Sequence, residues 1–384
     1  MGDVRMSTFD AIVVGVGGMG SAALCHLARR GARVLGLEQF AVPHERGSSH
    51  GGSRVVREAY YEHPDYVPLL RRCRAHWTEL EQASGLRLVH RVGALYAAAA
   101  DHPLLAGALH SARTHGIPHE VLDGSALARR FAGFAFPEGH VGLFEPGAGF
   151  VRPEAAVQAH VAAALRAGAR IETGTTVRAF SDRGGMVEVV TDRATFAARA
   201  VVLCPGAWAG RLLPRLGVPL RVTRQVVAWI EPRDRDAARA PAMPVWIAHD
   251  QEGLVYGIPE ADGQPPPLGW KVALHELGAE VDPDGVDRTV RPAELARLET
   301  VVRRLVPAAA GPARAAGVCL YTNSPDGHFV IDRLPGHERV HVACGFSGHG
   351  FKFTPVVGEL LADLALTGTS SLPAGFLGLR RFRQ

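Results

Sequence analysis

Three glycines at positions 15, 17 and 20 and an acid at position 38 are the first residues in this chain whose types and spacing could do chemistry. Gly15 permits a tight turn, Gly17 lets backbone N–H groups approach a pyrophosphate, and Gly20 allows a helix to pack closely on a strand. Gly18 and Met19 complete the turn, and the helix start that follows offers unpaired N–H groups and its positive dipole end to phosphate. Glu38, with Gln39 beside it, stands where a carboxylate accepts hydrogen bonds from ribose hydroxyls. An acid there favours an adenosine with a free 2′-hydroxyl, as in FAD or NAD.

A second signal is compositional. Of 42 basic residues other than histidine only Lys271 and Lys352 are lysine. Where almost every positive charge is a guanidinium, a retained lysine marks a place where a compact ammonium is needed. The five cysteines (25, 73, 204, 319 and 344) are odd in number and scattered. They form neither a disulfide framework nor a metal-ligand cluster, so no metal is expected and a reducing cytoplasm fits. Cys73 and Cys319, in apolar runs, are most simply small buried hydrophobes.

The elements that must position these groups follow from pattern. Ala11 to Val14, the glycine turn, the amphipathic run to Leu27, a stop at Gly31 and Val34 to Leu37 read as a βαβ unit. The next stretch, residues 42–54, is rich in Gly, Ser and His, with Ser48, Ser49, His50 and Ser53 in it; such a loop can wrap a cofactor with hydroxyls and backbone N–H groups facing phosphate, while composition alone leans slightly to a solvated surface loop. Arg54 and Arg57 lie three apart, on one helical turn or across one strand. Residues 66–83 are an amphipathic helix. From 88 to 148 short strands surround one helix, and a second domain begins. Residues 157–165 are helical, 169–172 and the run near Val177 are strands, and a buried strand at 198–203 ends at Cys204-Pro205-Gly206-Ala207-Trp208. Short alternating runs at 226–230, 245–248, 254–258 and 268–274 predict an antiparallel sheet with one ligand-facing side. A helix at 295–305 interrupts it. A strand at 340–343, a glycine turn and a helix from 354 to 366 then repeat the opening logic and return to the cofactor domain.

The expected fold class is therefore α/β: a Rossmann-like domain (1–88, 149–220 and 322–384) with a mixed or antiparallel-sheet substrate domain (89–148 and 221–321). At 384 residues with 47% hydrophobic and 21% charged residues and a net charge of +4, the chain has an ordinary globular composition. No charge run points to nucleic acid and no apolar run reaches membrane-span length.

With Gly15-Val16-Gly17-Gly18-Met19-Gly20, Ser49-His50-Gly51-Gly52-Ser53-Arg54-Val55-Val56-Arg57, Val318-Cys319-Leu320-Tyr321-Thr322 and Gly345-Phe346-Ser347-Gly348-His349-Gly350-Phe351-Lys352 on the page, the chain resembles the monomeric sarcosine oxidase family from residue 9 to 368. That group includes N-methyltryptophan and pipecolate oxidases. The resemblance implies FAD, a carboxylate-bearing amine substrate oxidised to an imine, O₂ as acceptor, and a monomer. It implies that Cys319 attaches covalently to the flavin 8α carbon, that Arg57 and Lys352 bind the substrate carboxylate, and that Lys271 promotes the reaction with O₂. Tyr256 and His275 match substrate-side residues; His50 and Arg54 match residues beside the flavin ring. Gly348, Gly350, Ser48, Ser49, Ser53 and Val177 fall at cofactor positions. Ser53 stands where sarcosine enzymes often carry Thr, and Ile247 about where a Met lines the substrate cavity. Pro265-Pro266-Pro267 precedes Lys271. These departures bear on the substrate side chain, for which sarcosine is the first expectation and a cyclic or bulky amino acid the alternative. A dehydrogenase that avoids O₂ and a non-enzymatic flavin subunit are the more distant rivals.

Overall fold

The computed structural model describes residues 8–260 and 269–383. The tri-proline at 265–267 and Leu268, the expected start of a strand, lie outside the described residues.

The opening βαβ unit forms as its pattern dictates. Strand Thr8–Val14 buries its last four residues completely or nearly so, and helix Gly18–Arg29 buries Ala22, Ala23, Leu24 and Leu27 against it. This strand lies at the centre of an eight-stranded sheet, paired in parallel with Val34–Leu37 on one side and Thr195–Leu203 on the other. Arg170–Glu172 extends the sheet beyond Val34–Leu37. The far edge of Thr195–Leu203 is shared: Met186–Thr191 pairs antiparallel with its first half and Val340–Cys344 pairs parallel with its last residues. Val177–Arg183 and Val330–Arg333 close the two outer edges. Helix Thr354–Thr367, with Pro355 in its first turn, packs on Gly18–Arg29, so the C-terminal segment does return to the opening unit.

A second eight-stranded sheet runs in the order Ala313–Asn323, Arg221–Ile230, Trp270–Leu274, Gly253–Ile258, Val245–Asp250, Ala94–Ala99, His140–Glu145, Glu120–Leu122. Every neighbouring pair is antiparallel except Val245–Asp250 with Ala94–Ala99, which is parallel. The two faces separate by strand alternation. Ala228, Ile230, Trp270 and Val272 pack under helix Pro292–Leu305, whereas Val227, Trp229, Ala273 and Tyr256 form a cluster on the opposite face. Register places Lys271 opposite Trp229 and Cys319 opposite Gln225 on that same opposite face.

Two expectations need correction. Residues 88–148 hold two helices, Pro103–His115 and Gly124–Arg130. The second has seven residues and one buried side chain, Leu127, and is started by the Asp123 carboxylate accepting from Ala126 N–H; it is too short to show a periodicity. The stretch 42–54 is no solvated surface loop. His50 and Ser53 are buried, and Arg54–Val56 forms a strand in a small sheet with Gly149–Val151 and Val89–Arg91. His44, Ser48, Ser49 and Arg54 face a cavity, whereas Glu45 and Arg46 are exposed.

Candidate active site

A cavity of about 570 Å³ opens between the C-terminal strand ends of the first sheet and the non-helical face of the second. That volume is in the usual range for a small-molecule site. At one end Gly15 adopts φ +84°, and a Cβ there would lie 2.3 Å from the carbonyl oxygen of Cys204; a Cβ on Gly20 would lie 1.7 Å from the carbonyl oxygen of Gly15. Only glycine permits this turn. It delivers a helix start whose N-cap residue, Gly17, makes no side-chain cap and whose first turn carries no acid. Gly18 N–H donates to Ser49 Oγ at 3.0 Å. An open helix N-terminus with a hydroxyl beside it fits a dinucleotide pyrophosphate. Glu38, just past the end of its strand, accepts from Val16 N–H at 2.8 Å and Phe40 N–H at 3.0 Å, and burial pushes its carboxyl pKa up. Gln39, Val177 and Trp208 line the outer end, Trp208 against Phe40.

Midway along the cavity sits Cys319, 4% exposed. Arg54 donates to the carbonyls of Ser53 and Ser48 and lies 3.3 Å from Cys319 Sγ. Burial alone would raise the thiol pKa, but Arg54, a hydrogen bond from His50, and Lys271 outweigh it and bring it down to about 6. The other buried cysteines with resolved shifts, Cys25, Cys73, Cys204 and Cys344, move the other way under burial. The surroundings of Cys319 thus favour its thiolate, whereas Cys73 packs in the core. Lys271 Nζ donates to the carbonyls of Ser53 at 2.7 Å and Gly51 at 3.1 Å. Burial and Arg54 push its pKa well down.

At the far end Arg57, 3% exposed, follows directly on the strand that carries Arg54. Its Nη2 meets Glu62 Oε1 at 2.5 Å, while Arg57 Nη1 and Glu62 Oε2 are buried without partners. Burial opposes the charge on Glu62, yet Arg57, His349 and Lys352 hold its carboxyl down to about 2. Lys352 Nζ donates to His349 O at 2.6 Å. Burial, reinforced by Arg57 and offset by Glu62 and Cys73, lowers its ammonium to about 7. His275 Nδ1 lies 3.3 Å from the Tyr321 hydroxyl, and Tyr256 stands on the neighbouring strand.

Most of the residues singled out from sequence meet in this one cavity: Gly15, Gly17, Gly18, Met19, Glu38, Gln39, Ser48, Ser49, Arg54, Arg57, Val177, Tyr256, His275, Cys319, Gly348, Gly350 and Lys352 line it. Gly20, His50, Ser53 and Lys271 do not; Ser53 is buried within the loop at 51–54, and Lys271 lies behind that loop, bonded to its carbonyls. Sequence reasoning missed Tyr61, Glu62, His349 and Gln225, which also line it. Glu62 is one of 38 acidic residues and had no distinguishing spacing. The Tyr60-Tyr61-Glu62 run that begins three residues after Arg57 is a weak signal for Tyr61 and Glu62 alone.

Comparison with known proteins agrees with this geometry. The family model described as FAD dependent oxidoreductase matches residues 10–364. A monomeric sarcosine oxidase of Streptomyces avermitilis is 46% identical over 377 residues, 97% of this chain and 98% of that protein. An N-methyl-L-tryptophan oxidase of Salmonella arizonae is 34% identical over 381 residues, 98% and 100% of the two chains. Among solved structures, NikD, described as an unusual amino acid oxidase essential for nikkomycin biosynthesis, superposes with a TM-score of 0.85 at 26% identity, covering 97% of each chain. An L-proline dehydrogenase from P. horikoshii shares the fold at a TM-score of 0.83 and 21% identity. The chain belongs to the FAD-dependent oxidoreductase family, within the group of the monomeric sarcosine and N-methyl-L-tryptophan oxidases.

Proposed function

We propose that this protein is an FAD-dependent oxidase of secondary amino acids acting on the CH–NH bond, and that sarcosine is its substrate: sarcosine, O₂ and water give glycine, formaldehyde and hydrogen peroxide. The observation that carries the reading is the pair of buried cations at the far end of the cavity. Arg57 has a free, buried Nη1 donor, and Lys352 spends one of its three N–H groups on His349 O. With Glu62 ionised, the site has one net positive charge to offer a carboxylate. A planar fork and a point charge fix such a group in orientation as well as position.

FAD, when bound, supplies the two-electron acceptor that O₂ reoxidises. The chain's own residues do the rest. The turn from Gly15 to Gly20, with Ser48, Ser49, Gly348 and Gly350, holds the dinucleotide, and Glu38 and Gln39 hold its ribose. Cys319 secures the cofactor through a thioether, for which a thiol poised near pKa 6 is supportive. Arg54, Ser53 and His50 lie beside the ring, Tyr256 and His275 beside the substrate. Lys271, whose ammonium is held by the carbonyls of Gly51 and Ser53 against the burial that pushes its pKa down, supplies positive charge for O₂ reduction.

Segments 1–88, 149–220 and 322–384 form the FAD domain in this reading and 89–148 and 221–321 the substrate domain. The strands of the first sheet all fall in the former. Action as a cytoplasmic monomer completes the proposal; five free, buried cysteines support a reducing compartment, and among the described residues no helix is long and apolar enough to cross a membrane.

A panel of amines assayed for peroxide tests the substrate. Turnover of sarcosine is expected. Turnover of pipecolate or N-methyltryptophan with none of sarcosine would replace it with the cyclic or bulky alternative.

A further inference from the structure

We propose that Tyr60 is a positioning residue for substrate binding, its ring being the shared surface that holds the Arg57 guanidinium and the Lys352 ammonium together for a single carboxylate. The inference rests on the carboxylate reading of those two cations and adds the residue that makes their pairing possible.

Tyr60 is fully buried and is not among the residues that line the cavity, so it does not touch substrate. Both cations nevertheless sit over its ring: Arg57 Cζ is 4.2 Å and Lys352 Nζ 5.0 Å from the ring centre. Two buried like charges repel, and the nearby Glu62 carboxylate pairs directly with Arg57 and not with Lys352. The electron-rich face of an aromatic ring attracts cations most strongly where water is excluded, which is the case here.

The ring cannot turn away. Its hydroxyl lies 2.5 Å from His349 Nδ1, and the His349 carbonyl is the acceptor for Lys352 Nζ. Tyr66 and Phe353 pack against it with ring centres at 4.9 and 5.4 Å, and its own carbonyl accepts from Ser111 Oγ at 2.6 Å. Together they fix the plane on which both cations rest.

The test uses the holoenzyme and propionate, a carboxylate without an amine, whose binding is followed by the change in flavin absorbance. Tyr60→Leu is expected to weaken propionate and raise the sarcosine KM by about tenfold or more, with kcat at saturation within about threefold of wild type. Tyr60→Phe keeps the ring and is expected to stay within about threefold in both. Should the leucine variant not fold, Tyr60→Met, which has no ring and a longer, more adaptable side chain, carries the same expectation. Wild-type propionate affinity in the ring-less variant, or an equal loss in Tyr60→Phe, would overturn the inference. Lys352→Met separates the two levels. If it weakens propionate while the ring-less Tyr60 variant does not, Tyr60 alone is wrong; if it leaves propionate unchanged, the carboxylate reading fails and this inference falls with it.

Discussion

Two clusters at the cavity wall and just behind it have the same parts. Arg54, Lys271 and Cys319 form one, Arg57, Lys352 and Glu62 the other, each an arginine, one of the chain's two lysines and an acid. The arginines come from the same short stretch, three residues apart. They differ in what is left unpaired. Arg54 is engaged with two carbonyls and the thiol, and Lys271 with two carbonyls. Arg57 keeps a free Nη1, Glu62 a free Oε2, and Lys352 is held by a single carbonyl. The anions differ as well: Glu62, held down to about pKa 2, is charged at any working pH, whereas Cys319 becomes charged only above about 6. A closed cluster with a conditional, nucleophilic anion suits holding and tuning a cofactor. An open cluster with a permanent anion and donors to spare suits recognising a ligand.

The contrast can be broken in order of expected effect. Acid precipitation of wild-type protein is expected to leave yellow flavin in the pellet, and Cys319→Ala to move all of it to the supernatant; release from wild type would make Cys319 structural. Lys271→Met is expected to slow reoxidation of reduced enzyme by O₂ by about 10²- to 10³-fold, the scale of removing one preorganised electrostatic contact, with anaerobic reduction by substrate little changed. Unchanged peroxide formation would remove Lys271 from the oxygen chemistry. The smallest effect concerns pH. Lys352 is charged below its lowered pKa of about 7 and neutral above it, while Arg57 and Glu62 stay charged throughout. Propionate affinity of the free enzyme should therefore fall as pH rises through 7, approaching about tenfold per unit, and Lys352→Met should flatten the curve. A flat wild-type profile would place the carboxylate elsewhere.

What could be read in the sequence follows from locality. The Gly15 to Gly20 turn, the strands around it and Glu38 are specified by neighbours within thirty residues. Lys271 and Lys352 stood out because every other basic side chain apart from histidine is a guanidinium. Cys319 was legible only through its resemblance to a family motif; its own apolar run read as core, and its lowered pKa arises from Arg54, distant in sequence and brought close by the second sheet. Glu62 and His349 were not legible because their importance is wholly tertiary: the carboxylate matters through Arg57, and the histidine through its carbonyl to Lys352 and its ring to Tyr60. For the loop at 42–54 composition alone leaned the wrong way, because polar composition does not say whether the polar groups face water or a ligand cavity; the alternative, a loop wrapping the cofactor, is the one the cavity-facing Ser48 and Ser49 favour.

The most direct test of the account is anaerobic mixing of the holoenzyme with sarcosine and, separately, with dimethylamine, which has the same secondary amine and no carboxylate. Flavin absorbance should bleach with sarcosine and persist with dimethylamine at the same concentration. Equal bleaching by both, or none by any carboxylate-bearing secondary amine, would contradict the assignment of Arg57 and Lys352 as the groups that bring the substrate to the flavin.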